Sequence, residues 1–239
     1  MTVAAVRGLI RAERGEFDER AAAPAVTSWS SAAGRARHGG DWCEVVPVSE
    51  HAVVLSVGDV AGHGAAVAGT MAVMRESLLR AIHDIHVPSD ILSAINGTAL
   101  RHGGGALVTA IVALVDSRRR TLTFASAGHP PPLMSTGDRH AFLAHLPADL
   151  PLGVFPYHRA ANYVLTLPSD ALLVLYTDGI TEHDRDPVRG EAELVEATRV
   201  VYARPELHAA RAIADHVLAK KRGTDDAATI ALRMMPAGG

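Results

Sequence analysis

The order of apolar and polar positions changes its period several times along the chain. Residues 42–48 and 52–57 are short Val-rich runs, the second stopped by Gly58-Asp59, and both predict strands. A helix is expected over 65–82, because Val67, Met71, Met74, Leu78 and Ile82 recur at steps of four, three, four and four residues. Its other flank, with Ala66, Ala72 and Val73, is apolar too, which predicts deep burial. Pro88-Ser89 opens a shorter helix, capped by Ser89 or Asp90, with Ile91, Leu92, Ile95 and Ala99 facing inward.

After Gly103-Gly104-Gly105 the pattern turns to strands. Residues 106–116 and 121–127 flank the charged Ser117-Arg118-Arg119-Arg120 turn and predict a hairpin. Pro130-Pro131-Pro132 punctuates the chain, and Gly137-Asp138 predicts a tight turn. Residues 163–167 and 171–177 predict a further pair around Pro168-Ser169-Asp170. One helical stripe runs through Leu194, Val195, Thr198, Val201 and Tyr202, and another through Leu207, Ala210, Ala214, Val217 and Leu218. A last strand, 228–234, follows Asp225-Asp226. Strands in runs and helices in pairs imply an α+β fold of two mainly antiparallel sheets flanked by helix layers. Residues 1–22 read as a separate charged helix with Val3, Val6 and Ile10 on one side; it could dock on the body, mediate a homodimer or fray. Residues 23–239 then form one domain, with no linker and no repeat.

Composition narrows the class. Of 239 residues, 48% are apolar and 21% charged, ordinary globular usage that excludes a disordered or fibrous chain. Lys plus Arg is 23 against 26 for Asp plus Glu, a net charge of −3, which offers no general hook for nucleic acid or an anionic membrane. Cys43 is the only cysteine, so no intrachain disulfide and no cysteine-built zinc or iron–sulfur site can form. Apolar runs such as 171–176 are far below the roughly 18–20 residues of a spanning helix. Arg7, Arg11, Glu13, Arg14 and Glu16 break up any signal-peptide core, and a cytoplasmic protein is expected.

Four acidic sites share one setting, the end or start of an expected strand beside glycine or a second acid: Gly40-Asp41, Gly58-Asp59, Asp178-Gly179 and Asp225-Asp226. Carboxylates that converge there suit a hard cation such as Mg²⁺ or Mn²⁺, which prefers oxygen ligands and relieves the repulsion among them. Each one alone is first a turn signal. Other chemistries find no support. His83 and His86 are poorly spaced for one helix face. Gly103-Gly104-Gly105 lacks the Lys-Ser/Thr of a phosphate loop, Gly62-His63-Gly64 lacks a third glycine at dinucleotide spacing, and Gly-x-Ser-x-Gly does not occur.

Longer strings carry more. Gly39-Gly40-Asp41-Trp42, then Gly58-Asp59-Val60-Ala61-Gly62-His63-Gly64 opening an Ala-rich helix, resembles the PPM-type (PP2C-like) bacterial serine/threonine phosphatases, in their sporulation-phosphatase and stress-regulator branch. Leu107–Ala110, Ala127–Pro131, Leu150–Gly153, Tyr176–Glu182 and Asp225–Ala228 follow in that family's order, so the resemblance covers roughly residues 25–235. It implies an α-β-β-α sandwich, with 23–239 as the phosphatase domain, and two Mn²⁺ or Mg²⁺ ions at one end of the sheets. Asp59 would bridge both ions, the carbonyl of Val60 would bind one, Asp178 and Asp225 would hold the second, and Asp41 would act directly or through water. A hydroxide between the ions would attack phosphorus, with no phospho-enzyme, so Cys43 is not the expected nucleophile. Asp226 is expected behind Asp225, though the two could exchange. The branch often has Tyr-Asp where this chain has Cys43-Glu44, so Glu44 could replace an acid of the ions' water shell. Ala61 stands where eukaryotic relatives carry a histidine, and His63 could protonate the leaving oxygen or simply be a turn residue. His129 is expected to be structural, and Arg35 and Arg37 a solvated turn that could help hold phosphate. The implied substrate is a phosphoserine or phosphothreonine protein of the anti-anti-sigma (STAS) or stressosome type. Two rivals remain, a non-catalytic binding module of this fold and a hydrolase of small phosphoesters.

Overall fold

The computed structural model describes residues 24–32, 39–136, 141–144, 149–157, 159–182, 186–205, 208–219 and 226–235. The segment 1–22, the turn at Gly137-Asp138, Arg35, Arg37 and Asp225 lie outside them. The described elements are β1 (Ala25–Ser31), β2 (Trp42–Pro47), β3 (Ala52–Val60), α1 (Ala65–Asp84), α2 (Pro88–His102), β4 (Val108–Asp116) and β5 (Thr121–Ala127). They continue with β6 (Leu133–Ser135), β7 (Ala141–Leu143), β8 (Tyr163–Thr166), β9 (Leu172–Tyr176), α3 (Pro187–Tyr202), α4 (Ala209–Leu218) and β10 (Ala227–Arg233).

Two five-stranded sheets result, ordered β1-β10-β9-β6-β7 and β2-β3-β4-β5-β8, with every pairing antiparallel. Three apolar layers bind the fold together. Between the sheets lie Val53, Leu55, Val57, Ile111, Val115, Phe124, Leu173, Leu175, Ile230 and Leu232. Outside one sheet, Val54, Val60 and Val112 meet Met74, Leu78 and Ile82 of α1 and Ile91, Leu92 and Ile95 of α2. Outside the other, Leu172, Val174 and Tyr176 meet Leu194 and Val201 of α3 and Ile213 and Val217 of α4. Because β3 and β9 are covered on both faces, their alternation appears as one apolar run rather than apolar-polar. The result is an α-β-β-α sandwich. No helix among the described residues is long and apolar enough to cross a membrane.

Three expectations are corrected. Residues 163–167 and 171–177 do not pair with each other: β8 bonds to β5 at the edge of one sheet, and β9 lies between β10 and β6 in the other. Burial gives the reason, since β8 alternates half-buried with exposed residues as a wet edge does, whereas all of β9 is buried. Pro168-Ser169-Asp170 therefore leads from one sheet to the other. In α1 only Met74, Leu78 and Ile82 are buried, while Ala66 and Ala72 are exposed and Val73 half-buried. An outer-layer helix has one face to bury, and short alanines on its other face cost little in water. The α2 N-cap is Val87, with Pro88 in the first turn; the backbone N–H of Ser89 donates to Asn162 Oδ1 at 3.0 Å instead of being capped locally.

Trp42 anchors the start of β2. It is 3% exposed, its ring lies over Gly58 opposite it in the ladder, and its indole N–H donates to Ser56 Oγ at 3.2 Å. A Cβ on Gly58 would come 2.1 Å from the ring, so the two residues are mutually required. Gly58→Ala is expected to lower stability by about 1–3 kcal/mol, the usual cost of overpacking, and to perturb tryptophan emission. Urea titration followed by fluorescence checks both.

Candidate metal centre

Side chains along a strand alternate between faces, so the inter-sheet layer can be followed outward two residues at a time. Toward one end, Cys43 of β2 is followed by Asp41, Val57 of β3 by Asp59, Ile111 of β4 by Thr109, and Leu175 of β9 by Thr177. On β10, Ile230 is followed by Ala228 and then Asp226. The ladders bring these ends level: Trp42 faces Gly58, Asp59 faces Thr109, and Tyr176 faces Thr229. The apolar layer thus ends in carboxyls and hydroxyls drawn from both sheets.

Polar contacts cross the gap at this end. Thr177 Oγ1 donates to Asp41 Oδ2 at 2.7 Å, and the backbone N–H of Gly40 donates to Asp226 Oδ2 at 2.6 Å. Thr177 is itself held by Ala228, whose N–H donates to Oγ1 at 2.8 Å. Asp41 is also hydrogen-bonded to Asp59. Glycine permits these approaches: a Cβ on Gly40 would lie 2.5 Å from the Val60 carbonyl oxygen and 3.2 Å from Asp59 Oδ1. A Cβ on Gly179 would lie 1.8 Å from the Asp226 carbonyl, so the short 3-10 turn Asp178–Ile180 abuts the start of β10. The Asp178 carbonyl closes that turn by accepting from the N–H groups of Thr181 at 2.7 Å and Glu182 at 2.6 Å.

Burial, and then the negative Asp59 and Asp226 nearby, push the Asp41 carboxyl up to about 9 against the lowering effect of the Thr177 hydroxyl. A proton shared by Asp41 and Asp59 relieves a repulsion that a cation would relieve equally well. The donor set, carboxyl oxygens with the Val60 carbonyl beside them, fits a hard divalent ion. Among the described residues no three such side chains stand as a finished coordination sphere. The structure therefore brings together Asp41, Asp59, Val60 and Asp226, sets Asp178 in the adjoining turn, and does not describe Asp225.

The neighbouring candidates separate by strand parity. Glu44 lies on the helix side of β2, on the opposite face of the strand from Asp41, and is ion-paired with Arg75 of α1. Cys43 points between the sheets, where burial and then Glu44 and Asp41 push its thiol up to about 11, the reverse of an activated nucleophile. His63 is exposed in the loop before α1. His83 is exposed and bonds Asp84, and His86 is exposed. His129 is buried, 7% exposed. Thr177 escaped the sequence reading; its signal was a hydroxyl closing an otherwise apolar strand immediately before Asp178.

Two sheets between helix layers, with acids gathered where the inter-sheet core ends, define the PP2C-type phosphatase fold. The chain belongs to the stage II sporulation protein E (SpoIIE) family, whose pattern it matches over residues 49–235. It is similar to the phosphoserine phosphatase RsbP of Bacillus subtilis, 27% identical over 154 residues, which cover 60% of this chain and 36% of RsbP. The RsbU and RsbW domains of a Mycobacterium tuberculosis protein superpose with a TM-score of 0.82 at 24% identity, over 92% of this chain and 62% of that one. The PP2C phosphatase domain of SpoIIE from Bacillus subtilis, solved with a fragment of its regulatory domain, gives a TM-score of 0.76 at 14% identity, over 90% and 64%. The chain thus spans about a third of RsbP and under two thirds of each of these solved chains.

The raised Asp41 pKa has a consequence for stability. Folding without metal takes up a proton between the ordinary carboxyl value of 3.8 and about 9, so stability falls as pH rises through that window. In EDTA, wild type is expected to lose more stability than Asp41→Asn between about pH 6 and about pH 8.5, measured by urea unfolding.

Proposed function

We propose that this chain is a metal-dependent protein serine/threonine phosphatase acting on a phosphorylated regulatory protein of the STAS or stressosome type. The observation that carries the reading is the convergence of Asp41 and Asp59 from one sheet with Asp226 from the other. Membership of the SpoIIE family and likeness to a phosphoserine phosphatase support it. So does the likeness to an RsbU domain solved together with an RsbW domain.

Bound Mn²⁺ or Mg²⁺, two ions in this reading, would supply an activated water and neutralise charge on the phosphoryl oxygens. Asp59, at the end of a strand buried on both faces, would hold the centre of the site, with the Val60 carbonyl beside it. Asp178 and Asp225 would hold the far side, with Asp226 fixing the Gly40 backbone. Thr177 orients Asp41 by donating to one carboxyl oxygen, and an ion or its water would take the place of the proton that Asp41 shares with Asp59. The loop from Ala61 to Gly64 is exposed beside the acids, so a phosphorylated segment on a protein surface can reach them.

The test is phosphate release from a phosphoserine peptide and from an aryl phosphate, with and without millimolar Mn²⁺. Release that needs Mn²⁺ and favours the peptide is expected. Asp59→Asn nearly preserves shape while removing the central charge, so a folded variant should lose more than the roughly 10–100-fold that an outer-shell change costs. Equal release by both proteins would refute the site assignment. Folded wild type without activity on peptide or phosphorylated STAS protein would favour a binding module.

A further inference from the structure

Beyond the acids themselves, we infer that His129 is a positioning residue: its ring is a strut that fixes the spacing of the two sheets beneath the candidate metal centre. The inference rests on the metal-dependent reading above and concerns a residue that touches none of the proposed ligands.

His129 comes just after β5, on the turn made by Gly128, whose φ of +65° favours glycine. Ser126 pins its backbone: the His129 N–H donates to Ser126 Oγ at 3.2 Å, and Ser126 Oγ donates to the His129 carbonyl at 3.0 Å. The ring then enters the gap between the sheets. Nδ1 lies 2.9 Å from Thr109 Oγ1 on β4, and Nε2 lies 3.0 Å from the Tyr176 carbonyl oxygen on β9. A carbonyl only accepts, so Nε2 carries the hydrogen, and in the neutral ring Nδ1 accepts from the Thr109 hydroxyl. Burial keeps the ring neutral by pushing it down to about 4, against a smaller opposing effect of the Tyr176 carbonyl.

Both ends of this bridge adjoin the site. Thr109 faces Asp59 across the ladder, and Tyr176 precedes Thr177, which orients Asp41, and Asp178. Of the other ties at this end, Thr177 to Asp41 and Gly40 to Asp226 use carboxyl oxygens, and Ser30 of β1 to Cys43 of β2 lies one step further into the apolar layer. His129 ties the sheets through Thr109 and the Tyr176 carbonyl, without any carboxyl oxygen, so an ion among the acids would not compete for its bonds. The separation between acids of opposite sheets, and with it the affinity for a shared cation, then depends on this ring.

Calorimetric titration of the whole chain with Mn²⁺, alongside urea unfolding in EDTA, tests the proposal. His129→Leu keeps the bulk but removes both bonds, and Thr109→Val removes one by a nearly isosteric change. Each is expected to bind Mn²⁺ about 10-fold more weakly or worse, the scale on which outer-shell partners act. His129→Gln retains an N–H donor and a carbonyl acceptor and should stay within about 3-fold of wild type, a small fraction of that effect. A purely structural histidine would lower stability in EDTA and leave the affinity of the folded protein unchanged. Wild-type affinity in folded His129→Leu or Thr109→Val overturns the strut, as does equal weakening in His129→Leu and His129→Gln. If His129→Leu does not fold, Thr109→Val decides alone. Wild type that binds no Mn²⁺ overturns the metal reading and the strut together, whereas binding that is equal in all variants overturns the strut only.

Discussion

The constraint on which the rest depends is that two sheets must share one apolar layer, and that layer has an end. Alternation of side chains sends every second residue of β2, β3, β4, β9 and β10 into the same gap. Over most of its length the gap is filled by Val, Leu and Ile, each worth about 1.5–3 kcal/mol when fully buried. At the rim the same parity presents Asp41, Asp59, Thr109, Thr177 and Asp226. The packed layer beneath holds these groups together although the acids among them repel. The crowding of these carboxyls, and the raised pKa of Asp41 among them, is thus a consequence of sandwich geometry, stabilised by residues such as Leu175 and Ile230 that have no chemistry of their own.

The same parity explains why adjacent residues of β2 have unrelated roles. Asp41 and Cys43 face the gap, whereas Trp42 and Glu44 face the helices. Trp42 locks the strand against Gly58, and Glu44 fastens it to α1 through Arg75. The pair Cys43-Glu44 divides into a half-buried thiol with a raised pKa and a helix anchor.

Fold alone does not assign a reaction, and at 14–24% identity the solved relatives speak for architecture. What directs the functional reading to this chain is the agreement of that architecture with its own acids. The ordered strings around Asp41, Asp59 and Asp178 arrive on different strands yet at one end of the sandwich. An unrelated use of the fold would place no demand on that end.

Much of the fold was legible because it rests on local pattern. The periodicity of α1, the Val-rich run of β3, the hairpin of β4 and β5 and the final strand were all readable, and so was the sandwich they imply. The pairing of β8 with β5 rather than β9 was not, since an edge strand and a central strand differ in what covers them, and that is decided by distant residues. The exposure of Ala66 and Ala72 was hidden for the same reason. Which acids are available, at strand ends beside glycines, could be read from the chain alone, because backbone turning and side-chain chemistry are local properties. That Glu44 turns toward α1, that Thr177 orients Asp41 and that His129 spans the sheets emerged with the packed fold, because each depends on contacts between elements far apart in the chain.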